Sequence, residues 1–329
     1  MLTVRHSGLL TTVQDLGRPG YQQYGIVVGG ALDGFAARAV NLSVGNDDNA
    51  ALLEMAQTGP DLVFDQDVLV AWGGADFAAR VNDEPLPRDR AVRIAAGEPV
   101  SFGLARSGLR AWLAIAGGID VPLVMGSRST YRRGGIGGHQ GRTLAAGDAL
   151  KLFEPTPWAK QLLATLVAGR KRAVAWTIRP DVMGKPARPG TVRALRGPEC
   201  DWFTKDALRA FFSAEWRATK EADRMGVRLL GPELALANPR EMISSSVNAG
   251  VVQVPPTGQP IVLLPSRQSI GGYPRLATVV TADLGRFAQM RPGDPVRFVE
   301  TTIATAHDLY LARERDLNRV RLGLARLTV

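Results

Sequence analysis

Short runs of β-branched and other apolar residues alternate with polar ones along most of the chain, and glycines and prolines break them every few residues. A period of two interrupted by turn formers reads as strands, so the pattern predicts a mainly β architecture with few short helices. Three segments repeat one design, a Gly-acid turn feeding an alternating strand. They are Gly97-Glu98-Pro99-Val100-Ser101-Phe102, Gly147-Asp148-Ala149-Leu150-Lys151-Leu152 and Gly293-Asp294-Pro295-Val296-Arg297-Phe298, and the last two run on to Glu154 and Glu300. A second echo links Gly59-Pro60-Asp61-Leu62 with Gly231-Pro232-Glu233-Leu234. The echoes are what a duplicated domain would leave, or what turn chemistry alone produces in a β protein.

Helical spacing occurs in a few places. Asp33 can cap a helix that turns Phe35, Ala36, Ala39, Val40 and Leu42 inward and closes at Gly45-Asn46. Thr204 can cap another, with Phe203 stapled onto Leu208 and Phe211 continuing the apolar face. Asp283 is placed to cap a short third one through Phe287, ended by Pro292-Gly293, and residues 305–324 read as a terminal helix. The prolines and amphipathic stretch over 155–172 mark a boundary. The expected layout is an N-terminal β domain (1–154), a linker (155–172), a second β domain (173–300) and a C-terminal helical tail (301–329), with strands open to exchange between the halves.

Composition narrows this picture without redrawing it. A chain of 329 residues is long for one core, which favours two domains, and 45% hydrophobic with 22% charged residues suits a globular protein. The N-terminal residues lack an apolar signal core, and the most apolar stretch, 111–125, contains Asp120 and glycines, so neither a leader nor a membrane span is expected. A single cysteine, Cys200, excludes an internal disulfide and fits a reducing compartment; with no histidine near it in sequence it reads as structural. The expected location is the cytoplasm. The net charge of +9 comes mainly from arginines, but these are scattered or, in the tail, interleaved with Asp308, Glu314 and Asp316. Nucleic-acid binding is therefore not expected.

Chemistry concentrates in four places. The stretch from Gly126 to Arg142 holds six glycines and four arginines, with Arg128-Ser129-Thr130 near its start and His139 near its end. Glycine amides can face an oxyanion and arginine forks match carboxylates, so the stretch is either an anionic-ligand loop or a glycine-rich hairpin with solvated arginines. It is not a Walker A loop, because Ile136 stands where the first glycine is needed and Arg142 replaces the lysine; nor does it carry a dinucleotide fingerprint. His139 is a possible acid or base, or an ordinary loop histidine. Gln14, Asp15 and Arg18 offer an amide, an acceptor and a cation, or a strand end where Asp15 and Arg18 pair across a turn. Gly29-Gly30 before Asp33 can bring amides to a ligand at a helix start, or simply precede a cap. Gln268 to Pro274, with Gly271, Gly272 and Tyr273, can bind an amide against an aromatic wall, or make a turn. The three histidines show no metal-ligand spacing, and no metal site is expected.

Taken in order, several motifs resemble the biotin-dependent carboxyltransferase family, which includes allophanate hydrolase subunit 2-like proteins, KipA and the 5-oxoprolinase C subunit. They are Val13-Gln14-Asp15-Leu16-Gly17-Arg18-Pro19-Gly20, Gly30-Ala31-Leu32-Asp33, Ala116-Gly117-Gly118-Ile119-Asp120-Val121-Pro122 and Gly126-Ser127-Arg128-Ser129-Thr130 with Arg133-Gly134-Gly135. Asp223-Arg224-Met225-Gly226-Val227-Arg228-Leu229, Val252 to Ile261 and Gly271-Gly272-Tyr273-Pro274 complete the set. The resemblance implies two cyclophilin-like β-barrel domains with a ligand cleft where they meet. It implies an ATP-dependent 5-oxoprolinase subunit that opens a small lactam beside a KipI-type (subunit-1-like) partner and a LamB/YcsF-type subunit. The alternatives are carboxyl transfer from carboxybiotin to a urea-like amide, and a non-catalytic KipA-like regulator of a kinase-inhibiting partner. It further implies catalytic roles for Gln14, Asp15, Arg18 and Asp33. Ligand contacts are implied from Gly30, Arg128, Ser129, Thr130, Gln268, Gly271, Gly272 and Tyr273, with Asp223 and Arg224 as further candidates. The chain departs from the family at Gly29, where a serine is common, and at Ser266 and Ile270, where an aspartate and a threonine are common. The chain carries no Met-Lys-Met biotinylation site and no nucleotide motif, so biotin would come on another chain and the ATP site would be unconventional or on a partner.

Overall fold

The computed structural model describes residues 1–185, 190–238 and 240–327. They form a mainly β protein with few helices and a long C-terminal one, arranged as two compact units. The first unit comprises residues 1–18, 33–186 and 314–329; the second comprises 19–32 and 187–313.

Twelve strands build the first unit: β1 (Leu2–His6), β2 (Leu10–Gln14), β3 (Leu52–Ala56), β4 (Asp61–Phe64), β5 (Val68–Asp76), β6 (Arg80–Val81), β7 (Glu84–Pro85), β8 (Val92–Ile94), β9 (Pro99–Ser101), β10 (Ser107–Ile115), β11 (Ile119–Asp120) and β12 (Ala149–Leu152). They pair into a seven-stranded sheet in the order β11-β12-β1-β4-β9-β6-β7 and a five-stranded sheet in the order β2-β3-β10-β5-β8. Leu2, Val4, Leu62, Phe64 and Val100 from the first sheet share one core with Val13, Leu53, Met55, Val70 and Leu113 from the second. The alternation that exposes one face of β1 fails in β5, which is buried at eight consecutive positions. Helix α1 (Gly34–Leu42) packs on β5 and β10 and covers their second face. Residues 155–172, expected as a linker, contain α2 (Pro157–Ala168), which buries Ala159, Leu162 and Leu166 in this unit.

The second unit contains β13 (Thr191–Arg196), β14 (Trp216–Ala218), β15 (Gly226–Leu230), β16 (Ser245–Ser246), β17 (Val251–Gln253), β18 (Ile261–Leu263), β19 (Ile270–Gly271), β20 (Arg275–Val279) and β21 (Pro295–Glu300). Seven of them close a barrel in the order β13-β20-β17-β18-β15-β14-β21, and a parallel β21-β13 pairing completes it, Thr191 opposite Arg297. Closure removes the sheet edges. Strands β16 and β19 form a separate two-stranded ribbon. Helix α3 (Lys205–Ser213) brings Phe211 against Phe298 of β21, their rings stacked at 4.4 Å. Two more helices follow, the short α4 (Thr281–Leu284) and α5 (Ile303–Ala325).

The three Gly-acid turns are one structure made three times. Gly97, Gly147 and Gly293 all have positive φ, at 78°, 90° and 88°, and an added Cβ would meet nothing within 4 Å at any of them. Glycine is needed there for its backbone conformation alone. In each turn the acid accepts from the amide three residues back: Glu98 from Ala95 at 2.8 Å, Asp148 from Ala145 at 2.7 Å, Asp294 from Arg291 at 2.8 Å. The second echo does not share a structure. Asp61 opens β4, whereas Gly231-Pro232-Glu233 is an irregular bend beyond β15.

Two of the helix starts form as expected. Asp33 accepts from the Ala36 amide at 3.0 Å and Thr204 from the Ala207 amide at 3.1 Å. Within α1, Ala37 is buried in place of Phe35, which is half-buried under the Arg38 guanidinium. Asp283 does not cap a helix. It lies inside α4, where its carboxylate takes the Arg193 backbone amide at 2.9 Å and two guanidinium nitrogens at 2.8 and 2.6 Å. A residue 90 positions away supplies a stronger, charge-assisted partner than the local amides offer.

Candidate functional site

The N-terminal candidates sit where β2 ends and residues 127–130 run beside it. Thr130 donates from both its amide and its hydroxyl to the Val13 carbonyl, each at 2.9 Å. Asp15 continues the contact. Its Oδ1 accepts from Ser127 Oγ at 2.6 Å, Ser129 Oγ at 2.5 Å and the Gly17 amide at 2.8 Å; its Oδ2 accepts from the Arg128 amide at 2.5 Å. The residue is only 3% exposed. Expected as a catalytic acceptor, Asp15 meets four donors of the protein itself, three of them on Oδ1, and works as a knot that fixes the start of the loop.

Arg18 is wholly buried, and no Asp15–Arg18 ion pair forms among the described residues. Its guanidinium donates to the Ser129 carbonyl and, at 3.3 Å, to that of Val124, while Nη1 has no partner. Burial pulls its pKa down against the opposing field of Asp15. Gln14 is also fully buried. Its amide nitrogen donates to Thr12 Oγ1 at 3.0 Å and the Thr130 carbonyl at 3.3 Å, leaving Oε1 unpartnered.

Four of the loop glycines, Gly134, Gly137, Gly138 and Gly141, serve close packing, whereas an added Cβ would meet nothing at Gly126 or Gly135. An added Cβ would stand 1.9 Å from Thr130 Oγ1 at Gly138 and 2.1 Å from the Ser129 carbonyl at Gly137. Three of the glycine amides expected to face an anion are spent internally: Gly135 to Arg132 at 3.2 Å, Gly138 to Arg128 at 3.0 Å, Gly141 to Gly137 at 2.8 Å. Arg142 grips Asp148 with two bonds of 2.7 and 2.8 Å, and His139 Nε2 lies 3.3 Å from the same carboxylate. The Arg142 bonds chiefly hold the Asp148 carboxyl down at about 2, so His139 belongs to an anchor of the loop. Arg128 is partly exposed, donates to the Val121 carbonyl at 3.0 Å and stacks over Phe153 at 4.8 Å. Arg132 and Arg133 are exposed.

A second group assembles in the second unit. The Gly29 amide donates to the Pro265 carbonyl at 3.1 Å, Arg224 donates to the Gly30 carbonyl, and the Ser266 amide reaches the Arg224 carbonyl at 3.2 Å. Asp223 closes a turn by accepting from the Met225 amide at 2.7 Å. Gly29, Gly30, Arg224 and Ser266 are thus brought together, whereas Asp33 is a helix cap in the first unit. Gln268 is partly buried and Tyr273 is 43% exposed. Gln253 donates to the Tyr273 carbonyl at 3.3 Å, and an added Cβ on Gly271 would come within 2.6 Å of its amide nitrogen. At Gly272 the nearest atom to an added Cβ is Ser244 Oγ, at 3.2 Å.

Two participants escaped the sequence reading. Ser127 was read only as part of a motif, yet its hydroxyl both serves Asp15 and accepts from the Ser129 amide. Arg267, beside Ser266, is a buried cation whose environment no local pattern reveals. Cys200 is buried, and burial pushes its thiol up, which suits the structural role expected of it. A cavity of about 360 Å³ in the first unit, lined by Trp176, Ile178, Val182, Val320 and Leu324 among others, contains no candidate residue. Among the described residues no helix is long and apolar enough to cross a membrane.

Residues 24–300 match the carboxyltransferase domain family, subdomain A and B. The chain belongs to this family. It is 39% identical to the 5-oxoprolinase C subunit of Escherichia coli over 93% of both chains, and 34% identical to that of Haemophilus influenzae over 94% of both. The crystal structure of Kluyveromyces lactis urea carboxylase superposes with a TM-score of 0.85 at 28% identity, over 100% of this chain and 30% of that one. Family membership agrees with the ordered motifs in the sequence, and the urea carboxylase likeness agrees with the mainly β fold.

Proposed function

We propose that this chain is the C subunit of an ATP-dependent 5-oxoprolinase, opening the lactam of 5-oxoproline to glutamate in the cytoplasm with a KipI-type and a LamB/YcsF-type partner. One observation carries the reading: the identity to the 5-oxoprolinase C subunit of Escherichia coli runs nearly the length of both chains. The urea carboxylase likeness instead corresponds to less than a third of a longer protein. ATP is handled by the complex, and biotin plays no part unless another chain supplies it.

Within this reading the partly exposed residues of each unit, taken separately, are the ones open to a ligand. Arg128 offers a guanidinium to a carboxylate or developing oxyanion, and Gln268 with Gly271, Gly272 and Tyr273 offers an amide and an aromatic wall. Asp15 and Arg18 are positioning residues that hold Arg128 through its amide and through the Ser129 and Val124 carbonyls. From β2, Gln14 and the Val13 carbonyl hold the same segment through Thr130.

The test is ATP-dependent glutamate release from 5-oxoproline by the chain co-purified with both partners. No product from an assembly whose partners are active with another organism's version of this chain would overturn the proposal. The shape likeness to urea carboxylase favours carboxyl transfer as the second reading. Tight binding of a biotinylated carrier by an assembly that makes no glutamate would promote it.

A further inference from the structure

Arg267 follows Ser266 in the turn after β18 and is 6% exposed. Its Nε donates to the Val247 carbonyl at 3.1 Å, but its terminal nitrogens reach Pro265 O and Asn248 Oδ1 only at 3.5 Å, the edge of hydrogen bonding. No carboxylate pairs with it among the described residues, and burial alone acts on its pKa, pulling it down. Guanidinium stays protonated all the same. A desolvated cation with three neutral acceptors, two of them distant, is costly to keep, and an anion would relieve it.

The ribbon packed beside it adds donors. Ser245 lies opposite Gly271 and Ser246 opposite Ile270, and a bond of 3.1 Å from the Val247 amide to the Ser269 carbonyl extends the register. Directly opposed residues share a face, so Ser245, Val247 and Ser269 point one way while Ser246 and the exposed Ile270 point the other. Both Ser245 Oγ and Ser269 Oγ are buried, and neither has a partner. Val247, whose carbonyl holds Arg267, stands on the same ribbon. An uncompensated guanidinium fork bonded to a ribbon that carries two idle hydroxyl donors on one face offers the donor types that a small planar oxyanion takes.

We propose that Arg267, Ser245 and Ser269 form a carboxylate-binding pocket in the second unit. Its ligand class is the small monocarboxylate; naming it as the carboxylate of 5-oxoproline rests on the function proposed above. The ribbon is only two residue pairs long with one face exposed, which makes it a thin cover for the pocket.

The experiment is calorimetric titration of the full chain, alone and in its complex, with 5-oxoproline, with acetate, and with 2-pyrrolidinone as the lactam lacking a carboxylate. Binding of both carboxylates at least tenfold tighter than the neutral lactam is expected, with at least a tenfold loss in Ser245→Ala/Ser269→Ala and in Arg267→Lys. The serine truncations are small enough to leave the melting temperature near that of the parent. Carboxylate affinity unchanged in the double serine variant, or no preference over 2-pyrrolidinone, overturns the pocket. A complex that makes glutamate with an unaltered KM in that variant also overturns the pocket but leaves the proposed function standing. Arg267-dependent carboxylate binding by a complex that makes no glutamate does the reverse.

Discussion

Asp15 in the first unit and Arg267 in the second are both buried charges on short connections, and they are built in opposite ways. Asp15 meets four donors from Gly17, Ser127, Arg128 and Ser129, all within 2.8 Å. Arg267 meets three neutral acceptors, only one of them nearer than 3.5 Å. The same cost of desolvation is met by four close donors at one place and by neutral acceptors, two of them distant, at the other. Arg18 stands between the two: it is wholly buried with Nη1 unpartnered, yet its guanidinium donates to the Ser129 and Val124 carbonyls and so positions the loop. What separates Asp15 from Arg267 is how closely each charge is met by groups of the protein itself.

The largest effect that tests this contrast is Asp15→Ala. It leaves two hydroxyls and two amides without their acceptor and frees the loop, so chemical denaturation is expected to show a loss of about 3–4 kcal/mol. A loss below about 1 kcal/mol would break the contrast on its saturated side. Next comes Gly138→Ala, expected to cost about 2–3 kcal/mol because its Cβ would collide with Thr130 Oγ1 at a φ of 53°. Gly147→Ala is the matched control. Its Cβ meets nothing, so only the positive φ counts, about 1 kcal/mol.

Asp148 supplies a pH test. Its carboxyl is held at about 2 against an ordinary 3.8, so it favours the folded state above about pH 4, and that contribution is lost as the pH falls through about 2. The loss is about 1 kcal/mol, because the Arg142 partner is in contact with solvent. Denaturation curves of Asp148→Asn should be correspondingly flatter between about pH 4 and 2; a parallel curve would remove the anchor. The smallest effect belongs to Arg267→Met. Replacing an uncompensated cation by an apolar chain of similar length is expected to change stability by less than about 1 kcal/mol in either direction. A loss as large as that of Asp15→Ala would show that Arg267 is structural after all.

Much of the fold could be read along the chain because its signals are local. The three Gly-acid turns, the caps at Asp33 and Thr204 and the terminal helix each depend on residues within about four positions of one another. Asp283 read as a cap for the same reason and was misread, since its partner Arg193 lies 90 residues away. The candidate site was legible as a set of places and much less so as a set of roles. Gln14, Asp15 and Arg18 stood out by residue type, but the donors and acceptors that occupy them come largely from residues 124–130.

Local patterning thus determined that this is a β protein with few helices, where its Gly-acid turns fall, and which segments gather side chains capable of chemistry. The ordered motifs determined its family. Tertiary structure alone decided which polar groups are used up and which remain idle. That division depends at Asp15 on contacts 112 to 114 residues apart, and at Arg267 on the lack of a carboxylate partner among the described residues. A sequence shows which groups can form hydrogen bonds; burial and long-range pairing decide which of them still have one to offer.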